Sequence, residues 1–321
     1  MGRLPEGVRV FGREPERARI EQLLDRASLD PVAILIEGDA GIGKTTVWRD
    51  AVEAARGRGY AVLEAAPAEA DTALGFSGLG DLFDGLAAEA LASLPDPQRR
   101  ALGAALFLSD ASEGPTEVEA LPRAVLGLLR RLSAEATLVI AIDDEQWLDR
   151  ASGRVLAFAL RRIRDERICV LLSRRIWSEG PLWPALRDGF TAETDVVELS
   201  GVDVATTRRL LGGVLDSRIP RRVVERVHEV SGGNPLYVLA LGEELQRAQG
   251  EPEAWRELPI PTTLADAIAR RLEQVRAGSE APLFAVAALS APTVGLLGEA
   301  LDGFRIGDLD EAVRADRKSV V

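Results

Sequence analysis

The sequence GDAGIGKT occupies residues 38–45 and contains Lys44, one of only two lysines in a chain of 321 residues. The other is Lys318, and arginine supplies nearly all of the remaining basic side chains. A chain that uses arginine almost everywhere, yet keeps a lysine in a glycine-rich stretch, indicates a task for a compact ammonium group that a planar guanidinium cannot perform. The stretch fits the phosphate-loop pattern G-x-x-x-x-G-K-[ST].

The residues on either side of this stretch predict the setting that a phosphate loop needs. Residues 31–37 form a short apolar run after a proline, which predicts a buried parallel strand. Residues 46–55 alternate at helical spacing. The glycines therefore lie between a strand and a helix N-terminus, where backbone amides and the helix dipole favour a phosphate group. A glycine-rich turn without a ligand is the alternative, and it explains this agreement less well.

The glycines, Lys44 and Thr45 of this loop then have expected roles. The glycines let the backbone wrap the anion, and Lys44 reaches the β- and γ-phosphates. The Thr45 hydroxyl completes the coordination of Mg²⁺. The predicted nucleotide-binding residues of this segment are Gly38, Asp39, Ala40, Gly41, Ile42, Gly43, Lys44, Thr45 and Thr46.

A second acidic site follows the apolar run LVIAI at residues 138–142. A strand that ends in carboxylates suits a site for Mg²⁺ and a triphosphate, on a strand end neighbouring the phosphate loop. We assign Asp143 to Mg²⁺, directly or through water. Asp144 is the candidate for orienting or deprotonating the attacking water, with Glu145 as the second choice. The alternative is that these three acids only cap the following helix.

Composition restricts the class of protein. The net charge of −12 argues against direct binding of nucleic acid by this piece. A single cysteine excludes an internal disulfide framework and fits a reducing cytoplasm. Residues 281–298 are uncharged, but prolines and glycines interrupt them, so we expect no membrane span. Strands alternate with helices up to about residue 200 and predict an α/β domain with a parallel sheet, followed by an all-helical region.

Five segments, taken in order, resemble the signal-transduction (STAND-type) branch of the AAA+-like P-loop ATPases. More narrowly, they are similar to the N-terminal ATPase region of large ATP-dependent LuxR-type transcriptional regulators. The segments are VFGREPE at 10–16, the phosphate loop at 38–45, IDDEQWLD at 142–149, LSRR at 172–175 and SGGNPLY at 231–237.

This resemblance implies contacts to the adenine base. Phe11, Gly12 and Arg13 would lie against the base, and Pro235 would pack near it. For residues 234–235 a local explanation also exists, because Asn is a preferred helix N-cap and Pro is favoured at the first helical position.

The resemblance also implies a phosphate-sensing arginine at the end of a strand. Arg174 and Arg175 are both candidates, and a surface arginine without this role is the alternative for each. The implied function is a switch that binds ATP or ADP with Mg²⁺, hydrolyses ATP slowly and self-associates in the ATP state. A non-catalytic scaffold that holds nucleotide, or an AAA+-type loader acting on DNA, are the competing hypotheses.

The resemblance further implies how the chain is organised. We predict a P-loop ATPase domain at residues 1–200, a helical lid at 201–256 and a truncated winged-helix-like segment at 257–321. A DNA-binding domain is then expected downstream of the last residue.

Overall fold

The computed structural model describes the residues 11–86, 94–106, 120–176, 178–190, 193–215 and 219–247. The chain divides into two compact units, Met1–Leu199 and Ser200–Val321. The predicted three-part division at residues 200 and 256 stays a prediction, and the predicted winged-helix segment at 257–321 lies outside the described residues.

The described part of the first unit contains one sheet of five parallel strands. These are β1 (Val32–Gly38), β2 (Ala61–Ala65), β3 (Leu138–Ile142), β4 (Ile168–Arg175) and β5 (Glu193–Leu199). Their order across the sheet is β2-β3-β4-β1-β5. All four pairings are parallel, so the carboxyl ends of the strands meet at one edge of the sheet.

Helices lie on both faces of this sheet, and three more follow it in the described part of the second unit. In chain order they are α1 (Glu14–Arg26), α2 (Lys44–Gly57), α3 (Ser77–Phe83), α4 (Asp96–Ala105), α5 (Leu121–Glu135), α6 (Arg150–Leu160), α7 (Trp183–Gly189), α8 (Val204–Gly212), α9 (Arg221–Ser231) and α10 (Pro235–Arg247). The predicted parallel sheet sandwiched by helices is confirmed, as is the helical region after it.

The two faces of the sheet follow from the alternation of side chains along each buried strand. On one face Ile34, Ala141 and Leu171 pack with residues of α1 and α2. On the other face Leu35 and Leu172 pack with α3 to α7. Along β4 the odd-numbered residues therefore face α2, and the even-numbered residues face the opposite layer.

The strand order corrects one expectation. The strand that ends in the acidic residues, β3, does not neighbour β1, because β4 lies between them. Helix α2 connects the two strand ends, because it crosses the face of the sheet and packs against β1, β3 and β4. Residues at the start of α2 therefore reach the end of β3 across the end of β4.

Asp149 joins two helices in the first unit. Its carboxylate caps α6 by accepting the Ser152 N–H (2.9 Å), and it also accepts the N–H groups of Phe76 (3.0 Å) and Gly78 (3.1 Å) at the start of α3. Burial alone would raise the pKa of Asp149, but the hydrogen bonds from Ser152, Gly78 and Phe76 outweigh it and lower that pKa. The ionised carboxylate therefore stabilises both helix starts.

Replacing Asp149 with alanine is expected to lower the free energy of unfolding by about 3 kcal/mol, because three amides, two of them buried, lose a charged acceptor. The contribution should be present above the ordinary Asp pKa and lost as pH falls through the lowered pKa of the folded state. Denaturant unfolding of wild type and variant between neutral and acidic pH measures this. The control is Asp203→Ala, which removes an exposed cap of α8 and should cost less. Equal losses in both variants would contradict the joining role.

The second unit packs α8, α9 and α10 around an apolar core that includes Leu211, Val227 and Leu241. The turn between α9 and α10 lies against the segment that precedes α8. A Cβ added at Gly201 would lie 2.1 Å from the Gly232 carbonyl oxygen, so this approach requires glycine.

In the described part of the chain, no helix has both the length and the apolar character needed to cross a bilayer.

Candidate functional site

The segment between β1 and α2 has the backbone that its glycines predict. Gly41 (φ 78°) and Gly43 (φ 103°) both adopt the left-handed region. Gly43 directly precedes α2, so the first amides of that helix, which have no partner within the helix, lie beside the loop. The buried Ile42 side chain fixes the loop to the core, and its carbonyl accepts a hydrogen bond from Arg13 Nη2 (2.9 Å).

Lys44 is buried within this loop and is only 6% exposed. Its Nζ donates a hydrogen bond to the Asp39 carbonyl oxygen (2.8 Å). Burial lowers the pKa of the Lys44 ammonium, Asp144 and Asp143 oppose this shift, and Arg175 adds to it. Asp143, Asp144 and Arg175 therefore lie close enough to Lys44 to act on its charge, although the four residues come from three segments of the chain.

Asp143 and Thr45 meet at the start of α2. The Thr45 hydroxyl donates to the Asp143 carboxylate, as does the hydroxyl of Ser173 at the end of β4. Burial raises the pKa of Asp143, and these two hydrogen bonds partly offset the shift. A hydroxyl and a carboxylate thus lie together beside Lys44.

Asp144 has an uncommon backbone conformation, with φ 49° and ψ 53°. Asp is one of the few residues that tolerate the left-handed region. Its N–H donates to the Ser173 hydroxyl (2.8 Å), and its carbonyl accepts the Trp147 N–H (2.9 Å). Its carboxylate accepts a hydrogen bond from Gln146 Nε2 (2.8 Å). The turn therefore fixes Asp144 at both its backbone and its side chain.

Glu145 points elsewhere. Its fully buried Oε1 accepts the N–H groups of Leu182 (2.6 Å) and Trp183 (2.9 Å). A Cβ added at Gly180 would lie 1.8 Å from its Oε2, so the backbone packs directly on the carboxylate. Burial raises the pKa of Glu145. These contacts tie Glu145 to the start of α7, unlike Asp144, and give it a structural part.

The two arginines at the end of β4 lie on opposite faces of the sheet. Arg174 pairs with Glu37 of β1 (2.7 Å), and both side chains are largely buried. The exposed Arg175 belongs to the face that α2 covers; its guanidinium lies 5.7 Å from the centre of the Trp147 ring and acts on the charge of Lys44. The geometry therefore favours Arg175 as the arginine on the side of the phosphate loop.

The residues predicted to contact the adenine base lie in two separate parts of the chain. The buried Arg13 side chain contacts the phosphate loop through Ile42, and Phe11 is 39% exposed. Pro235 is the first residue of α10 in the second unit, where the Asn234 Oδ1 accepts the Leu236 N–H (3.1 Å). The local explanation of Asn234 as a helix cap thus has a direct observation, and the adenine contacts of Phe11, Gly12, Arg13 and Pro235 stay predictions.

Two residues of the site were not predicted from the sequence. Ser173 holds both Asp143 and Asp144, and Gln146 holds Asp144. Ser173 was detectable as the polar residue that ends the apolar run of β4. Gln146 belongs to the segment 142–149 that carries the resemblance, but the pattern assigns it no role, because its partners depend on how β3 and β4 pair.

The donor set fits a magnesium ion held together with a triphosphate. Mg²⁺ is commonly bound by one or two carboxylates and by phosphate oxygens, in place of a cage built entirely from protein. Thr45 and Asp143 supply one hydroxyl and one carboxylate beside the loop. Among the described residues, no group of three or more His, Cys, Asp or Glu side chains is arranged to hold a metal by itself.

Solved structures are similar to this chain over nearly its whole length. The ORC2 protein of Aeropyrum pernix, solved as ADPNP and ADP complexes, is 16% identical over 99% of this chain and 88% of that chain, with a TM-score of 0.53. AMPPCP-bound DnaA from Aquifex aeolicus is 13% identical over 98% of this chain and 90% of that chain (TM-score 0.43). A STAND protein with a tetratricopeptide-repeat sensor from Pyrococcus horikoshii is 16% identical over 98% of this chain and 40% of that chain (TM-score 0.47).

Sequence comparison with curated proteins gives no significant match. Residues 9–171, more than half of the chain, match the family described as AAA ATPase domain. These residues include the phosphate loop, the acidic end of β3 and the first half of β4. The chain therefore belongs to the AAA ATPase domain family.

Proposed function

We propose that this chain is a nucleotide switch that binds ATP or ADP with Mg²⁺ and hydrolyses ATP slowly. The observation that carries the proposal is the meeting of Lys44, Thr45 and Asp143 at one point of the sheet edge. An ammonium, a hydroxyl and a carboxylate, together with the amides of a helix N-terminus, are the groups that a Mg²⁺–triphosphate requires.

Each of these groups has its own part in the binding of nucleotide and Mg²⁺. The loop amides and Lys44 bind the phosphate oxygens, for which Lys44 exchanges its bond to the Asp39 carbonyl. Thr45 and Asp143 would hold Mg²⁺, which would neutralise charge on the phosphates. The wider nucleotide site consists of residues 38–46, with Phe11, Gly12 and Arg13 as the proposed adenine contacts.

Hydrolysis is assigned to Asp144. A water molecule attacks the γ-phosphorus in line with the leaving oxygen, the bond to the β-phosphate breaks, and Asp144 orients the water or accepts its proton. Support comes from the fixed position of the Asp144 carboxylate one residue after the proposed metal ligand. Glu145 is not needed for this step, because its carboxylate is held against Leu182 and Trp183.

Switching is assigned to Arg175. A ligand shifts a conformational equilibrium only through contacts that differ between the two states. The γ-phosphate is what distinguishes ATP from ADP, and Arg175 is the strand-end arginine on the same face as the phosphate loop. We infer that Arg175 contacts this phosphate and that the ATP state self-associates.

The biological role follows from the resemblance of the five segments to LuxR-type ATPase regions. We propose that the chain acts in the cytoplasm as the ATPase part of a transcriptional regulator. In this role it contacts nucleotide and other copies of itself, and it contacts no membrane. Its charge of −12 supports leaving DNA contact to another part of such a regulator.

The test compares Arg175→Ala with Arg174→Ala. Wild type is expected to hydrolyse ATP and to sediment faster with ATP than with ADP. Arg175→Ala should bind both nucleotides but lose this difference. Arg174→Ala should keep it while losing about 2 kcal/mol of stability, because Glu37 is left without its partner.

Sedimentation velocity with each nucleotide, phosphate release and denaturant unfolding provide the three readouts. Tight binding of ADP without any turnover would overturn the switch in favour of a scaffold. Loss of nucleotide discrimination in Arg174→Ala alone would reverse the assignment of the two arginines.

A further inference from the structure

We propose that Gln146 is a positioning residue that couples the Asp144 carboxylate to the end of β4 at Arg175. This inference rests on the proposed function and adds to it a route from the sensing arginine to the proposed base. It is carried by two hydrogen bonds that the side chain of Gln146 makes at once.

The Gln146 amide bridges two groups of opposite character. Its Nε2 donates to Asp144 Oδ1 (2.8 Å), and its Oε1 accepts the backbone N–H of Arg175 (3.2 Å). A carboxylate only accepts and a backbone N–H only donates, so the bridge needs a donor at one end and an acceptor at the other. An amide side chain provides both, and its partners fix which way round it lies. A glutamate lacks the donor, and a lysine or arginine lacks the acceptor.

Asp144 otherwise has its position set mainly by its backbone. Its N–H is bound by Ser173 and its carbonyl by Trp147, which together hold the left-handed conformation. These bonds set the direction of the Cα–Cβ bond, and the bond from Gln146 then selects the orientation of the carboxylate. A carboxylate held in one orientation serves better for positioning water than one that rotates.

The other end of the bridge lies on the residue that we assign to phosphate sensing. The Arg175 backbone N–H is bound by Gln146, and its guanidinium lies over the ring of Trp147. Gln146 and Trp147 are consecutive in the turn that follows Asp144. A shift of Arg175 toward a phosphate group therefore acts on this turn, and through Gln146 it acts on the carboxylate of Asp144.

Amide hydrogen exchange of the nucleotide-free protein tests the bridge without any need for turnover. Gln146→Ala is expected to speed exchange at Arg175 about tenfold, because that N–H loses its acceptor. Gln146→Glu keeps an acceptor and should leave this exchange near the wild-type rate. The matched control is Gln22→Ala at an exposed position of α1. Unchanged exchange at Arg175 in Gln146→Ala would overturn the bridge.

Steady-state kinetics tests the effect on chemistry. Gln146→Ala is expected to lower kcat about tenfold with KM changed less than about twofold, as for loss of orientation without loss of binding. Gln146→Glu should lower kcat further, because it places a like charge beside Asp144. In the Asp144→Asn background, Gln146→Ala should cause no additional loss.

The two proposals fail in different ways. Independent, multiplying losses in the double variant would overturn the positioning role while leaving ATP hydrolysis in place. A wild-type chain that binds ATP but never releases phosphate would overturn the hydrolytic switch and the kinetic role of Gln146 together. The exchange rate at Arg175 would still decide whether the bridge exists.

Discussion

Replacing Lys44 with methionine is expected to weaken ATP binding about 100-fold or more while making the nucleotide-free protein more stable. The two effects have one cause. The Lys44 ammonium is held in a buried position, where desolvation lowers its pKa. Without nucleotide the buried charge is a cost, and with nucleotide it is proposed to lie against phosphate oxygens. Methionine has a similar length and no charge, so it removes both effects.

Thermal unfolding with and without ATP, together with calorimetric titration, measures this prediction. The variant's melting temperature should exceed that of wild type in buffer and should fail to rise when ATP is added. Lys44→Arg is the matched control, because it keeps the charge but presents a planar group in the space of a compact one. We expect it to bind ATP poorly as well. Wild-type affinity in the methionine variant would remove Lys44 from the site.

The pH dependence of the free energy of unfolding is a second test of the predicted stability gain in Lys44→Met. Because the pKa of Lys44 is lowered in the folded state, the unfolded chain holds more protons between that pKa and the ordinary lysine value of 10.5. Stability due to this group therefore rises with pH through that interval. The difference between Lys44→Met and wild type should shrink as pH increases. A difference that grows with pH would show that the ammonium is stabilised in the folded protein.

Local patterns predicted the parts of the site that one segment builds. Residues 38–45 combine loop, lysine and helix start within eight positions, and their pattern alone gives the conformation of Gly41 and Gly43. The strand that ends at Asp143 was equally readable, because a run of five buried apolar residues has few other interpretations.

The other contacts of the candidate site depend on which strands become neighbours, and hydrophobic runs in the sequence do not specify the order of strands in a sheet. Because β4 lies between β1 and β3, Ser173 comes beside Asp143 although 30 residues separate them. The same pairing brings Gln146 to Arg175, 29 residues away. The choice between Arg174 and Arg175 was open for this reason. It required knowing which face of the sheet α2 covers.

At Glu145 the local sequence pattern was not sufficient to assign the role of the side chain. Three consecutive acids at a strand end look equivalent, and all three suit a metal or a base. In the folded chain Asp143 contacts Thr45, whereas Glu145 accepts amides from the segment before α7. The 3₁₀ turn at Glu145–Trp147 separates them, because it rotates successive side chains to different sides.

Replacing Asp144 with asparagine is expected to lower the rate of phosphate release about 1,000-fold while changing ATP affinity less than about threefold. Asparagine tolerates the left-handed conformation that Asp144 adopts, and its Oδ1 can still accept the bond from Gln146 Nε2. The substitution therefore keeps the turn and removes only the carboxylate charge. Single-turnover phosphate release and equilibrium binding of ATP separate the two quantities.

The comparison with Glu145→Gln makes this prediction specific. Glu145 is the neighbouring acid, but its carboxylate is committed to Leu182 and Trp183, so its amide variant should lose stability and keep most of the chemical rate. If Asp144→Asn releases phosphate as fast as wild type, the water is positioned by another group and the assigned mechanism is wrong. If the asparagine variant instead holds unhydrolysed ATP, it should also remain self-associated, since the γ-phosphate that Arg175 is proposed to contact is never removed.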